Sequence, residues 1–326
     1  LQLLRETDGQ APCNFFTAMG LDYLYVKDGN NVQALIDAFR KVKDIGHPVA
    51  VHINTLKGKG YRLAEQQQER FHYSAPFCLE TGSPSVGSGN EDDYGDLTAK
   101  YLLQEMKKDR TVVGITAGTP TVFGFTPERR EEAGRQFVDV GIAEGHGVAM
   151  CAGMAQQGMV PVFAVYSSFL QRGCDMLLHD VALNHLHVVL GVDRAGLVGA
   201  DGETHHGCFD VMYLSQVPGM KVFCPASFAE LRQMLRRAVL EMNGPVAVRY
   251  PRGGEDGYDG DCGDESVTVL RQGTDAAIVT YGILTQQALR AAALLEKEGV
   301  SARVVKLNRV APLDSDGICR ALDGVK

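Results

Sequence analysis

The sequence lacks the features that would place it in a membrane or in a complex with nucleic acid. None of its apolar runs approaches the length of a membrane span, and its first residues, LQLLRETDGQAP, show no signal-peptide pattern. It has a net charge of −8 and no run of basic residues, which argues against a nucleic-acid surface. A cytoplasmic protein that binds neither membranes nor nucleic acids is therefore expected.

The sequence also lacks any CxxC pair, although it contains eight cysteines. Several cysteines fall in predicted core elements such as VAMCAGMA and KVFCP. We therefore expect free thiols in a reducing cytosol rather than a disulfide framework or a zinc site. The cysteines are Cys13, Cys78, Cys151, Cys174, Cys208, Cys224, Cys262 and Cys319.

Helical and strand patterns alternate through the centre of the sequence. From residue 96 to about residue 253, short apolar runs such as TVVGIT, VPVFAV and HVVLGVD are separated by helical patterns such as DLTAKYLLQEMKK. This alternation predicts an α/β fold with doubly wound, mostly parallel sheets that are covered by helices on both faces.

Shorter pieces flank this central region. Residues 1–80 contain one helical and one strand pattern, VQALIDAFRKVKDI and HPVAVHINT, which cannot bury a sheet alone and so predict the tail of a larger domain. Residues 81–95 have the composition of a linker. Residues 265–326 predict the first units of a further α/β domain, so the sequence is expected to be truncated at both ends.

Polar residues follow four of the predicted strands, at the positions where ligands of such folds bind. Glu144 follows QFVDV within a run of small and apolar residues and has no cation beside it in the sequence. A buried, unpaired carboxylate is costly unless it holds a proton, which suggests a functional group. Alternatively, Glu144 only stabilises a helix by lying at its positive, N-terminal end.

Two further strands are followed by aromatic and basic residues. The segment YSSFLQR places Tyr166, Phe169 and Arg172 after VPVFAV, although Phe169 is equally compatible with the core and Arg172 with the surface. The segment RYPRGG places Arg249 and Arg252 where a guanidinium group could hold a phosphate in a forked geometry. The alternative for these arginines is a surface salt bridge.

The fourth cluster is the loop DRAGLVGADGETHHG, which contains Arg194, Asp201, His205 and His206. A long glycine-rich loop with imidazoles and a carboxylate is more often functional than structural. A metal site that adds Cys208 is an alternative, but adjacent histidines in extended backbone point apart and no typical ligand spacing is present. Together, the four clusters suit an anionic metabolite beside a heterocycle whose nitrogen needs a proton partner.

The order of three motifs then suggests a family. VGIAEGHGVAMCAGMA, AVYSSFLQRGCDMLLHDVALNHLHVVLGVDRAGLVGADGETHHG and GPVAVRYPRG closely resemble 1-deoxy-D-xylulose 5-phosphate synthases, which are thiamine-diphosphate-dependent enzymes of the transketolase superfamily. The similarity extends from VKDGNNVQALIDAFRKVKD to VKLNRVAPLD. It implies a transketolase-like fold with the tail of a diphosphate-binding domain (1–80), a pyrimidine-binding domain (96–253) and the start of a C-terminal domain (265–326).

The resemblance also implies a reaction and a set of site residues. The family condenses pyruvate with glyceraldehyde 3-phosphate, releases carbon dioxide, and supplies precursors of isoprenoids, thiamine and pyridoxal phosphate; a homodimer is expected. Glu144 matches the glutamate that meets N1′ of the aminopyrimidine, and Phe169 matches the ring that stacks on it.

The residues matched to catalysis are Glu144, Asp201, His205 and His72. The residues matched to cofactor binding are Glu144, Phe169, Tyr166, Arg172 and Lys57. The residues matched to substrate binding are Arg194, Arg252, Tyr166, Asp201 and His205, with the two arginines on the substrate phosphate.

One family signature is absent. The GDG…N segment that binds Mg²⁺ and the diphosphate does not occur, so those ligands are expected in a missing N-terminal portion, and the chain alone should bind the cofactor poorly and not turn over. The leading interpretation is a fragment or split subunit of the synthase. Alternatives are another transketolase-superfamily enzyme, such as a transketolase or a 2-oxo-acid dehydrogenase subunit, and a non-catalytic subunit. A generic nucleotide binder is disfavoured because no glycine-rich phosphate loop is present.

Overall fold

The computed structural model describes residues 1–85 and 92–326 and divides the chain into two compact units, residues 1–90 and 91–326. All eight cysteines lie in the described residues and are free, as their scattered spacing predicts. No helix in those residues is both long and apolar enough to cross a bilayer. The predicted linker falls partly on residues 86–91, which are outside the described residues.

The first unit contains a βαβ arrangement. Its helices and strands are α1 (Gln2–Glu6), α2 (Phe15–Ala18), β1 (Asp22–Val26), α3 (Val32–Val42), β2 (Val49–Ile53) and α4 (Arg62–Gln66). Strands β1 and β2 are parallel, and Asn31 caps α3 by accepting two backbone N–H groups of its first turn. The prediction of a single αβ pair is wrong, since it missed β1, whose pattern DYLYV is only five residues long.

The second unit is built around two sheets. Its strands are β3 (Val112–Thr116), β4 (Phe137–Asp139), β5 (Val160–Tyr166), β6 (Val189–Asp193), β7 (Lys221–Phe223), β8 (Val246–Arg249), β9 (Val267–Arg271), β10 (Ala276–Tyr281), β11 (Ala302–Leu307) and β12 (Arg309–Ala311). The larger sheet has the order β12-β7-β8-β6-β5-β3-β4 and is parallel except at β12. The smaller sheet has the order β10-β11-β9, with β9 antiparallel. These described strands confirm the mostly parallel α/β fold.

Helices connect these strands. They are α5 (Tyr94–Lys108), α6 (Pro127–Ala133), α7 (Glu144–Gln156), α8 (Ser167–Leu170), α9 (Cys174–Met176), α10 (Asp210–Leu214), α11 (Phe228–Leu240), α12 (Leu284–Lys297) and α13 (Ser315–Leu322). Helix α5 begins inside the predicted linker because the Asp93 side chain caps it, accepting the N–H of Asp96 at 2.7 Å. The continuous helix expected for SFLQRGCDMLLHDVALN is instead broken into α8, α9 and a π-helical turn, Leu177–Ala182.

The pleat of the central strands divides the core into two layers. On β5, Val162 and Ala164 belong to the layer beneath α5 and α11, whereas Phe163 and Val165 belong to the layer beneath α7 and the π-helical turn. All four residues are at most 2% exposed. Because both faces of the sheet are buried, ligands can approach only its edges and ends, which is where the polar residues collect.

A buried ion pair joins helix α11 to strand β11 of the smaller sheet. Lys306 on β11 and Glu230 on α11 are both fully buried, with Nζ and Oε2 2.8 Å apart. Lys306 also donates to the side-chain oxygen of Asn308. Glu230 also accepts the backbone N–H of Ala226 at 2.8 Å and the hydroxyl of Tyr258 at 3.3 Å. With these added hydrogen bonds, neither charge is left without a partner in the interior.

Candidate functional site

Glu144 begins helix α7 and is only 3% exposed. Small residues allow this helix to lie close to its neighbours, because a Cβ at Gly147 would come within 2.8 Å of the Phe163 ring and one at Gly145 within 2.9 Å of Met176. Because no cation stands beside Glu144 in the sequence, its carboxylate was expected to be unpaired. That expectation is wrong. Nη1 of Arg172 lies 3.2 Å from Glu144 Oε1, so the buried carboxylate has a cationic partner.

Three rings form a cluster next to this pair. The ring centroids of Tyr166 and Phe169 are 5.0 Å apart, and His205 lies 5.2 Å from Phe169 and 5.8 Å from Tyr166. The Arg172 guanidinium lies 5.5 Å from the Phe169 ring, so Arg172 contacts both Glu144 and the ring cluster. Burial raises the pKa of Tyr166 to about 12, which keeps its hydroxyl neutral at physiological pH.

Two arginines extend the cluster on its other side. The Arg194 guanidinium lies 4.4 Å from the Tyr166 ring, and its Nε lies 3.3 Å from Asp201 Oδ2. Nη1 of Arg252 lies 2.8 Å from the other oxygen of Asp201. One carboxylate therefore bridges the two guanidinium groups.

The structure thus brings eight of the ten predicted site residues into one continuous series of contacts. Listed along that series, they are Glu144, Arg172, Phe169, His205, Tyr166, Arg194, Asp201 and Arg252. The other two, Lys57 and His72, lie in the first unit, where both are exposed and the ammonium group of Lys57 contacts Nδ1 of His72.

Sequence reasoning missed Asp193, the last residue of β6. Asp193 is 2% exposed, accepts the backbone N–H of Arg194 at 2.5 Å, and lies 2.7 Å from Nη1 of the same residue. It thereby fixes Arg194, whose backbone has the uncommon positive φ of 58°. Burial raises the pKa of Asp193 to about 7, although the Arg194 guanidinium opposes the rise. The available signal was a carboxylate ending an apolar strand, directly before a predicted site residue.

Comparison with known proteins identifies the family. The profile described as "Transketolase, pyrimidine binding domain" matches residues 91–254, about half of the chain. This chain belongs to that family. Two further profiles match, "1-deoxy-D-xylulose-5-phosphate synthase" over residues 4–55 and "Transketolase, C-terminal domain" over residues 265–324.

Curated relatives confirm the resemblance predicted from the motifs. The transketolase-family chain is 41% identical over 328 residues to 1-deoxy-D-xylulose-5-phosphate synthase of Chlorobium luteolum, covering 96% of this chain and 51% of the relative. It is 42% identical over 313 residues to that of Chlorobaculum tepidum, covering 94% and 49%. The chain therefore spans about half the length of the curated relatives it matches.

Solved structures support the transketolase-like fold. A structure titled "Split gene transketolase, inactive beta4 tetramer" matches with a TM-score of 0.62 and 28% identity, covering 72% of this chain and 77% of that chain. A transketolase mutant from Pichia stipitis in complex with fructose 6-phosphate matches with a TM-score of 0.62 and 15% identity, covering 94% and 59%. At 15% identity, the second likeness shows the fold alone.

In this transketolase-family chain, Arg249 has a structural contact. Its Nε lies 2.6 Å from Asp210 Oδ2 and its Nη2 lies 3.2 Å from Oδ1. Both side chains are buried, so this is a forked salt bridge in the interior rather than on the surface. Of the two arginines in RYPRGG, only Arg252 reaches the Asp201 cluster.

The metal alternative for the loop is not supported by its contacts. His206 Nδ1 accepts the backbone N–H of Val198 at 2.9 Å, His205 Nδ1 contacts the Thr204 hydroxyl at 2.8 Å, and Asp201 binds arginines. Within residues 1–85 and 92–326, no group of three or more His, Cys, Asp or Glu side chains is placed to hold a metal ion.

Gly207 allows this loop to close against the end of β6. Gly196 and Gly207 exchange two backbone hydrogen bonds of 2.8 Å. A Cβ at Gly207 would lie 2.0 Å from the Arg194 carbonyl oxygen and 2.6 Å from the Ser167 hydroxyl oxygen. No side chain fits without moving backbone, so the position of the loop depends on this glycine.

Gly207→Ala is expected to lower the free energy of unfolding by about 1–3 kcal/mol, because the added methyl group overpacks a closed contact. Gly199→Ala is a matched control in the same loop, since nothing lies within 4 Å of a Cβ there and Gly199 is exposed. Urea denaturation measures both changes. Equal stability of the two variants would contradict the close packing at Gly207.

Proposed function

We propose that this chain supplies the pyrimidine-binding part of a 1-deoxy-D-xylulose 5-phosphate synthase. The enzyme condenses pyruvate with glyceraldehyde 3-phosphate and releases carbon dioxide, using thiamine diphosphate. The observation that carries this proposal is the continuous series of contacts from Glu144 to Arg252. It places a buried acid and an aromatic ring close to a pair of arginines, as binding a heterocycle beside a phosphate-bearing substrate requires.

The residues present fit the aminopyrimidine half of thiamine diphosphate. Glu144 offers a buried carboxylate for a ring nitrogen, and Phe169 offers a partly buried ring for stacking. The hydroxyl oxygens of Ser167 and Ser168, between Tyr166 and Phe169 in the sequence, are buried and have no hydrogen-bond partner among the described residues. The described residues offer no matching group for the diphosphate-bound Mg²⁺.

Each residue has a distinct part in the proposed site. When bound, thiamine diphosphate supplies a carbon nucleophile and an electron sink for decarboxylation. Glu144 holds or releases a proton at N1′, and Arg172 balances the charge of its carboxylate. Phe169 orients the pyrimidine ring by stacking, and His205, whose ring lies 5.2 Å from that of Phe169, moves a proton near the substrate.

The remaining proposed residues hold or surround the substrate. Arg194 and Arg252 hold the acceptor's phosphate and so orient its aldehyde, while Tyr166 and Asp201 shape the site around it. Lys57 and His72 stay proposed site residues on the family resemblance alone.

Several finer features belong to the proposal and depend on the family resemblance. They are Mg²⁺, a homodimer, a cytoplasmic location, and a role in making isoprenoid, thiamine and pyridoxal phosphate precursors. We place the Mg²⁺ and diphosphate ligands in the part of the family's length that this sequence does not cover.

Removal of the acceptor's phosphate tests the proposal. In the complete enzyme, glyceraldehyde 3-phosphate should be used far better than glyceraldehyde, and Arg252→Ala should reduce that preference at least about tenfold, since the arginine recognises the phosphate through charge-assisted hydrogen bonds. Steady-state kinetics with both acceptors measure the preference. Arg232→Ala is the control, because Arg232 lies on α11 outside the site. An enzyme indifferent to the phosphate would instead favour another member of the superfamily.

A second candidate function is that of a subunit that is inactive alone. The observation favouring it is the likeness to the 28% identical split-gene transketolase, which is described as an inactive tetramer. Thiamine diphosphate binding and turnover should be measured for this chain alone and after mixing with a diphosphate-binding half from a relative. Turnover only in the mixture supports a split subunit, and absence of turnover in both favours a non-catalytic role.

A further inference from the structure

The two arginines proposed to hold a phosphate are already bridged by a carboxylate of the same chain. Asp201 places one oxygen 3.3 Å from Nε of Arg194 and the other 2.8 Å from Nη1 of Arg252. A phosphate that bridged the two guanidinium groups as Asp201 does would take the same N–H donors. Asp201 and such a phosphate therefore compete for the same donors.

The two carboxylates that contact Arg194 are held differently. Asp193 ends a central strand, is 2% exposed and is fixed to the backbone N–H of Arg194. The side chain of Asp201 is 19% exposed and lies in the glycine-rich loop, immediately before Gly202, which has a φ of 81°. Asp201 can leave Arg194 by a change in the loop, whereas release of Asp193 would require movement of the sheet.

The charges of the cluster explain what a departure of Asp201 would do. Arg194 and Arg252 carry two positive charges, and Asp201 is the carboxylate that both of them contact. A dianion that enters this cluster meets repulsion from Asp201 as well as attraction from the arginines. Once Asp201 has left, Arg252 loses its contacting carboxylate and Arg194 keeps only one.

We propose that Asp201 is a specificity-determining counter-ion, which the phosphate of the acceptor replaces on Arg194 and Arg252. An acceptor without phosphate leaves Asp201 in place and is not bound by the two arginines. Asp193 remains on Arg194 in both states and acts as its positioning residue. This inference rests on the proposed function for the identity of the acceptor, but the exchange of anions involves only residues of this chain.

Titration of the full chain with inorganic phosphate tests this exchange by calorimetry at low ionic strength. Asp201→Asn should bind phosphate about tenfold more tightly than the unmodified chain, because a competing charge in a partly buried cluster is removed. If Asp201→Asn does not fold, Asp201→Ser is used instead, since it also removes the charge. Glu203→Gln is the matched control, since it removes the same charge from an exposed position of the same loop. Arg252→Ala should weaken binding at least about tenfold, since it removes a charge-assisted contact.

The outcomes separate this inference from the proposed function. Tighter binding by Asp201→Asn, with Glu203→Gln unchanged and Arg252→Ala weakened, supports the exchange. Equal or weaker binding by Asp201→Asn overturns it, while a loss of binding in Arg252→Ala would still support the phosphate site of the proposed function. Equal tightening by Glu203→Gln also overturns it, because the effect would then come from overall charge. Phosphate binding that is absent, or unaffected by Arg252→Ala, contradicts both the exchange and the phosphate site.

Discussion

Glu144→Gln is expected to abolish carbon dioxide release from pyruvate in the complete enzyme that we propose. An amide has nearly the shape of the carboxyl group but cannot take up and return a proton, and loss of such a group reduces a rate by about 10²–10⁴-fold. The fold should persist, because the partner Arg172 is 62% exposed and water can solvate it when the pair is lost. Single-turnover measurement of carbon dioxide release gives the effect.

Glu128→Gln is the matched control for this prediction. Glu128 lies in the first turn of helix α6, so its replacement removes a negative charge from an equivalent helical position outside the site. Circular dichroism should show the same helix content in both variants. If Glu144→Gln retains near-normal turnover, the proton-exchange role is refuted and Glu144 acts only on its helix.

The second large effect is expected at the buried pair between α11 and β11. Lys306→Met should lower the free energy of unfolding by about 3–5 kcal/mol, because it leaves the fully buried carboxylate of Glu230 without its cation. The double variant Glu230→Gln with Lys306→Met should recover most of this loss, since no uncompensated charge remains inside. Guanidinium denaturation of the single and double variants measures the coupling between the two sites.

An exposed ion pair supplies the comparison for this second prediction. Lys326 lies 2.9 Å from Asp275 but is 80% exposed, so Lys326→Met should leave the stability nearly unchanged. If Lys306→Met behaves like Lys326→Met, the buried pair between α11 and β11 does not contribute to the stability of the fold. If the double variant is no more stable than Lys306→Met, buried charge is not the cause of the loss.

The elements with strong apolar patterns were predictable from the sequence. VPVFAV and HVVLGVD correspond to β5 and β6, which are buried on both faces and so read as continuous apolar runs. Helix α6 was missed because its sequence PERREEA has almost no apolar residues and therefore no helical period. Its signals were local, namely the cap by Thr126 and the proline at its start.

The candidate site was predicted as a set of residues, but its contacts were not. Chemistry at strand ends and the family resemblance indicated Glu144 and Arg252, but their partners are distant in sequence. Arg172 is 28 positions from Glu144, and Asp201 is 51 positions from Arg252. Such pairings depend on how neighbouring strands bring their ends together, which a pattern along a single chain does not encode.

The proposed role of Glu144 is tested most directly by a structure of the complete enzyme with thiamine diphosphate bound. The Glu144 carboxylate should lie within hydrogen-bonding distance of N1′ of the aminopyrimidine, about 2.6–3.2 Å, with the Phe169 ring stacked on the same heterocycle. A pyrimidine bound away from Glu144, or absent from the Phe169 ring, would contradict it.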